Sequence, residues 1–410
     1  MAFDIQTVRG DFPALSQAVN GHPLAYLDSA STTLKPQAVV DAVTSIYAED
    51  CANVHRGVHT LSQRATARFE AARERAARFL GDVDPDEVIF TRGTTEAINL
   101  VAESFGRSAV GRGDAVVVSE LEHHSNLVPW ARLCEERGAE LRVIPLLDDG
   151  SLDADKAPTL IDANTKILAV SHISNSLGTV NDVAQLARLA HAQGAKVVVD
   201  GAQAAPHLEI DVTALGADFY AFSGHKVYGP TGAGVLWGRR ELLEAMPPWQ
   251  GGGEMIASVS FESGIDYADI PHKFEAGTPD IAAVVGLGAA LEFVEGLGLD
   301  AIARHEAALV EEAMGALGSL PGVQLVGTAR HKAAVVSFVM DGVHPHDAGT
   351  ILDGQGLAVR TGHHCSEPVM ERFGLPATIR ASFGVYNRAE EIARLVAGVG
   401  EIRRVLRKDR

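Results

Sequence analysis

From residue 87 onward the chain alternates short apolar runs with longer stretches of mixed polarity. Runs at 88–90, 115–118, 141–145, 167–171, 197–200, 219–222 and 234–237 are rich in β-branched and aromatic residues and too short for helices. Between them, as at 127–137 and 182–193, apolar residues recur every three to four positions, the period of an amphipathic helix. Seven strands alternating with helices predict an α/β fold whose mostly parallel sheet is covered on both faces. After about residue 296 the pattern changes. A long amphipathic helix is expected over 300–317, then strands over 323–326, 334–340, 357–360 and 378–383, which reads as a smaller α+β unit. Asn387-Arg388-Ala389-Glu390 reads as a capping box opening a last helix. The glycine-rich 251–253 and the polar stretch to residue 269 form the most loop-like region.

Two of the runs end abruptly in chemistry. Val197-Val198-Val199 leads into Asp200-Gly201-Ala202-Gln203, and Phe219-Tyr220-Ala221-Phe222 into Ser223-Gly224-His225-Lys226. Parallel sheets bind ligands at the carboxyl ends of their strands. Here those ends supply a carboxylate, an amide, a hydroxyl, an imidazole and an amine. Pyridoxal 5'-phosphate (PLP) needs such a set: an amine for covalent attachment, an anion for its pyridinium nitrogen and donors for its phosphate. Most lysines are solvated surface groups, but desolvation at the end of an apolar strand would lower the Lys226 pKa and favour attack on an aldehyde. Gly93-Thr94-Thr95, between strand 88–90 and a helix starting near Glu96, fits either a phosphate cradle or an ordinary helix cap.

Size and charge narrow the classes. At 410 residues the chain exceeds one ordinary core. A net charge of −18 argues against nucleic acid or anionic membrane as a partner. The start, Met1-Ala2-Phe3-Asp4-Ile5-Gln6, shows no secretory pattern, and the apolar stretch 281–291 falls short of the roughly 20 residues of a membrane span. Three scattered cysteines, Cys51, Cys134 and Cys365, suit a reducing cytoplasm.

Across its length the chain also resembles the SufS-type (group II) cysteine desulfurases, fold-type I PLP enzymes of the class V aminotransferase family. The likeness rests on Tyr26-Leu27-Asp28-Ser29-Ala30, Val54-His55-Arg56-Gly57-Val58-His59, Arg92-Gly93-Thr94-Thr95-Glu96, Glu122-His123-His124, Ser174-Asn175 and the strand-end motifs above. It continues through Phe274-Glu275-Ala276-Gly277-Thr278-Pro279, Arg360-Thr361-Gly362-His363-His364-Cys365 and Arg380-Ala381-Ser382. Asp280 and Arg388 depart from the pattern, where asparagine and threonine are common. The resemblance implies a segment 1–20 packing on the small domain, a PLP-binding domain over 21–295, and a small C-terminal domain over 296–410 carrying the nucleophilic cysteine. It implies Lys226 as the Schiff-base lysine, Asp200 at the pyridinium nitrogen, Gln203 at the ring oxygen and His123 stacked on the ring as a proton shuttle. Thr94, Thr95, Ser223 and His225 would hold the phosphate, with Thr278 reaching in from a second subunit. Asn175 would touch cofactor or substrate, Arg380 would clamp the substrate carboxylate beside Arg360, and His55 and Arg56 would cross the dimer interface. His124 counts only as a neighbour.

Cys365 is the expected sulfur acceptor, because a nearby arginine and two histidines favour a thiolate. Cys134 fits a small buried hydrophobe. The expected reaction converts L-cysteine to L-alanine and an enzyme persulfide that feeds iron–sulfur cluster assembly. A selenocysteine lyase would use the same residues. A zinc-binding scaffold built on His344, His346, His363, His364 and Cys365 is the rival of a different class, although it lacks close CxxC-type pairs. No resident metal is expected. In His344-Pro345-His346-Asp347, His346 is either a solvent-facing helix-start residue or a ligand for the zinc of a SufU-type acceptor, a partner slightly favoured over a SufE-type one.

Overall fold

The computed structural model describes residues 4–408. Residues 1–3 of the expected N-terminal segment, with the start of the leader reading, and residues 409–410 lie outside it. Seven strands form the large sheet: β1 (Val88–Thr91), β2 (Ala115–Ser119), β3 (Glu140–Ile144), β4 (Thr165–Ser171), β5 (Lys196–Asp200), β6 (Phe219–Ser223) and β7 (Gly234–Gly238). Their spatial order is β1-β7-β6-β5-β4-β2-β3. Only β7 runs against its neighbours, β1 and β6.

The runs lack polar alternation because both faces are dry. Val197, Val199, Tyr220 and Phe222 enter one apolar core, with the helices Thr60–Phe79 and Ile281–Leu297. Val198, Phe219 and Ala221 enter the other, with the helices Thr94–Val101 and Val128–Arg137. The apolar stretch at 281–291 is thus a core helix. A side chain at Gly286 would strike Pro230 and Val43 at 2.6 Å, so glycine there lets the helix sit close. Among the described residues no single helix is long and apolar enough to cross a membrane.

A second sheet holds β8 (Val323–Val326), β9 (Val335–Met340), β10 (Arg360–Gly362) and β11 (Thr378–Ser382), in the order β8-β9-β11-β10. The helices Leu299–Gly318 and Ala389–Lys408 share its core. The strand expected at 357–360 is two strands. Leu357 and Ala358 pair in parallel with Ala25 and Tyr26, and only from Arg360 does the chain join β11. The capping box is also displaced by one residue. Glu391, not Glu390, accepts from the Arg388 amide at 3.2 Å, while Asn387 Nδ2 donates to Glu391 at 2.8 Å and to Tyr26 C=O. The stretch after Gly253 is a hairpin, Ile256–Ser260 with Gly264–Tyr267, whose Val259, Phe261, Ile265 and Tyr267 are exposed. In the N-terminal segment Arg9 pairs with Glu391 at 2.9 Å, and the Phe12 ring meets Tyr228 and Tyr386 edge-on.

Candidate active site

β5 and β6 lie side by side and parallel, so their carboxyl ends open on the same space. A cavity of about 160 Å³ there is lined by Asp200, Lys226, His123, Asn175, Arg360 and Arg380, among others. Lys226 ends a single 3₁₀ turn after β6. Burial, assisted by the positive charges of Arg380 and Arg360 and opposed by Asp200, brings its amine down to about 8. Asp200 is 5% exposed. Its Oδ1 accepts from the Ala202 amide at 2.9 Å, and Oδ2 has no hydrogen-bond donor among the described residues. Burial raises its pKa and Lys226 counters this, so a further cation at the site would stabilise the carboxylate. Gln203 sits behind the wall, its amide donating to Ala30 C=O at 2.8 Å.

The same space continues to the start of the helix Thr94–Val101, where Thr94, Thr95, Ser223 and His225 meet. Ser223 Oγ accepts from the Thr94 amide at 2.9 Å and lies 2.8 Å from Thr94 Oγ1, while Thr95 Oγ1 is 2.6 Å from Ser125 Oγ. Helix-start amides with three hydroxyls make a ready anion cradle. Burial and the charge of Lys226 hold His225 down to about 4. His123 Nδ1 accepts from the Ser125 amide at 3.1 Å, which leaves its proton on Nε2. Burial, then Lys226, bring it to about 3, so the ring stays neutral.

The thiol stands at the far side. Cys365 is half-buried, and Arg360 NH2 lies 3.7 Å from its Sγ. Arg360 NH1 donates to Ser31 Oγ at 2.9 Å. Arg380 is 1% exposed. Its NH1 donates to Asn175 C=O at 2.7 Å and its NH2 to Asp28 Oδ1 at 3.0 Å and Ser31 Oγ at 2.8 Å. Its Nε is buried with no partner among the described residues. Asn175 holds the cysteine loop, donating to His364 C=O at 2.6 Å and accepting from Ser366 Oγ at 3.0 Å. Asp28, Ser31 and Ser125 are parts of the site that sequence reasoning gave no role. Asp28 lay in a quoted motif, but its contact with Arg380 spans most of the chain.

Besides Gln203, three expected residues stay away from this cavity within one chain. Thr278 is exposed and lines a separate groove with Arg92, Gly232 and Trp249. His55 pairs with Glu70 at 2.7 Å, and Arg56 binds Glu254 beside the glycine-rich loop. The histidines of the scaffold reading are dispersed as well. His364 is buried against Thr378 at 2.8 Å, His363 pairs with Glu367 at 3.1 Å, and His344 caps its own helix through the His346 amide. Among the described residues no three His, Cys, Asp or Glu converge on a metal position. Cys134 is buried, its thiol pushed up by burial, and Cys51 is exposed.

A strand-end lysine, a neighbouring buried carboxylate and an anion cradle are arrangements of one large enzyme family. The chain belongs to it: the profile of the class-V aminotransferases matches residues 25–395. Within the family it is a cysteine desulfurase. The cysteine desulfurase of Klebsiella pneumoniae (strain 342) is 54% identical over 406 residues, covering 99% of this chain and 100% of that protein. The cysteine desulfurase of Dickeya dadantii (strain 3937) is 52% identical, covering 98% of each. The crystal structure of cysteine desulfurase CsdA from Escherichia coli, in its S-sulfonic acid form, superposes with a TM-score of 0.91 at 42% identity, covering 99% of this chain and 100% of that one.

Proposed function

We propose that the enzyme is a SufS-type (group II) desulfurase that moves the sulfur of L-cysteine onto Cys365, releases L-alanine and supplies sulfur for iron–sulfur cluster assembly. One observation carries this reading: the Cys365 thiol, with Arg360 against its sulfur, stands beside a cavity that already holds Lys226, Asp200 and Arg380. The short loop 363–366 between β10 and the helix Glu367–Arg372 supports the group II form.

The residues present fit pyridoxal 5'-phosphate. Lys226 offers the attaching amine, the unpaired Asp200 oxygen suits a protonated ring nitrogen, and Thr94, Thr95, Ser223 and His225 suit the phosphate. His123 lines the same cavity, where its ring suits stacking on the cofactor, while Gln203 is held behind the wall by its bond to Ala30 C=O. Bound there, the cofactor draws electron density from the substrate's Cα. Arg380, anchored by Asp28 and Asn175, lines the cavity, where its guanidinium suits the substrate carboxylate. Lys226 takes the Cα proton on Nζ, which its lowered pKa permits near neutrality. The Cys365 thiolate, with Arg360 against its sulfur, attacks the substrate sulfur. An S–S bond forms as the C–S bond breaks, and the electron pair stays with the carbon fragment. Lys226 returns its proton to the carbon fragment, and His123 relays the proton that Cys365 lost on forming its thiolate, the ring gaining one proton as Nε2 gives one up, which completes alanine.

A second copy of the chain supplies what one copy holds apart. Thr278, His55 and Arg56 are exposed and away from the cavity, and the hairpin presents an uncovered apolar surface. A two-fold dimer covers such a surface and brings these residues to the partner's site. His346 is exposed in the first turn of the helix Pro345–Asp353, which packs through Gly349 on Thr361 of β10. That position suits capture of zinc from a SufU-type acceptor. A reducing cytoplasm suits the reactive thiol.

The purified protein should be yellow and convert L-cysteine to alanine, with the persulfide on Cys365 in peptide maps. A colourless protein, or a persulfide on Cys51 or Cys134, would overturn the reading. His346→Ala should lose stimulation by a zinc-bearing acceptor and keep its basal rate. Full stimulation of that variant would remove the zinc-capture role.

A further inference from the structure

We propose that His124 is a positioning residue for the sulfur-accepting thiol, capping from a different element the helix that follows Cys365. The proposal rests on Cys365 being the acceptor. The helix Glu367–Arg372 begins after Ser366, a residue type that normally caps a helix with its own hydroxyl. Here that hydroxyl donates to Asn175 Oδ1, and no side-chain cap comes from Ser366. The His124 ring takes its place, Nε2 accepting from the Glu367 amide at 3.3 Å. The His124 amide donates to Cys365 C=O at 2.9 Å. One residue thus grips the cysteine loop on both sides of Ser366.

The loop needs such a grip. His364 and Cys365 are successive non-glycine residues in the left-handed region, at φ 56° and 57°. That conformation persists only where surrounding contacts over-determine it. Asn175 and Thr378 fix the loop at His364. His124 fixes it at and after Cys365, from the very turn that carries His123. The His-His pair therefore divides its work: His123 faces the cavity, and His124 sets where the sulfur stands. Accepting from an amide requires a neutral ring with its proton on Nδ1.

The test compares His124→Ala with His124→Gln in the holoenzyme, with Cys365→Ser alongside. His124→Ala should lower kcat for alanine formation about fivefold to tenfold, the scale of losing one helix cap. KM for L-cysteine and the cofactor absorbance should stay unchanged, and the alkylation rate of Cys365 by iodoacetamide should shift. His124→Gln keeps an acceptor oxygen for the Glu367 amide and should restore most of the rate. A wild-type kcat in His124→Ala, or equal impairment in His124→Gln, would overturn the proposal. Loss of cofactor from His124→Ala would overturn it too, by making the residue a support of the whole site. Wild-type alanine release by Cys365→Ser would instead strike the reading of Cys365 itself, whatever His124 does.

Discussion

The amine of Lys226 sits near a pKa of about 8 because burial and two guanidinium groups outweigh Asp200 and Cys365. Attack on an aldehyde needs the neutral amine, whose fraction rises as pH climbs through about 8. Rebinding of PLP to the cofactor-free enzyme should therefore accelerate across that pH, measured by stopped-flow absorbance. A flat rate between pH 7 and 9 would contradict the assignment. In Lys226→Ala, borohydride should no longer fix cofactor to the chain. Cys365→Ser should keep its cofactor spectrum while alanine formation falls by roughly two orders of magnitude or more. Lys226 and Asp200 were legible because each follows an apolar strand of unmistakable pattern. Asp28 and Ser31 were not, since their roles come from Arg380 and Arg360, far along the chain.

Elements were legible where local pattern decides and not where the partner decides. The seven sheet strands lie where their apolar runs lie, with ends adjusted by one or two residues. The split of 357–360 is invisible locally, because the run is continuously extended and only its partner changes, from Ala25–Tyr26 to β11. The last helix makes the same point. Glu390 and Glu391 are both plausible caps by spacing, but Glu391 alone is buried, where it meets Arg9, Asn387 and the Arg388 amide. Glu391→Ala should cost about 3 kcal/mol in urea unfolding, because it strands the Arg9 charge and removes a cap. Glu390→Ala should change stability by less than about 0.5 kcal/mol, as for ordinary surface sites. Equal effects of the two substitutions would contradict the displaced cap.

At the scale of the whole molecule, the separation of Thr278, His55 and Arg56 from the cavity makes a test of shared sites possible. Lys226→Ala and Arg56→Ala chains should each be impaired alone. Refolded together, they should form mixed dimers with one intact site, which regain up to half the activity of a wild-type dimer. No recovery in mixed dimers verified by mass would contradict sharing.

The pairing of Ala25–Tyr26 with Leu357–Ala358 also sets an order of events during synthesis. At roughly 5–20 residues per second, the early strand waits on the order of tens of seconds for its partner to leave the ribosome. The large sheet and Lys226 emerge well before Arg360, Cys365 and Arg380. The amine of Lys226 can thus already be sheltered by the large sheet when Cys365 is made.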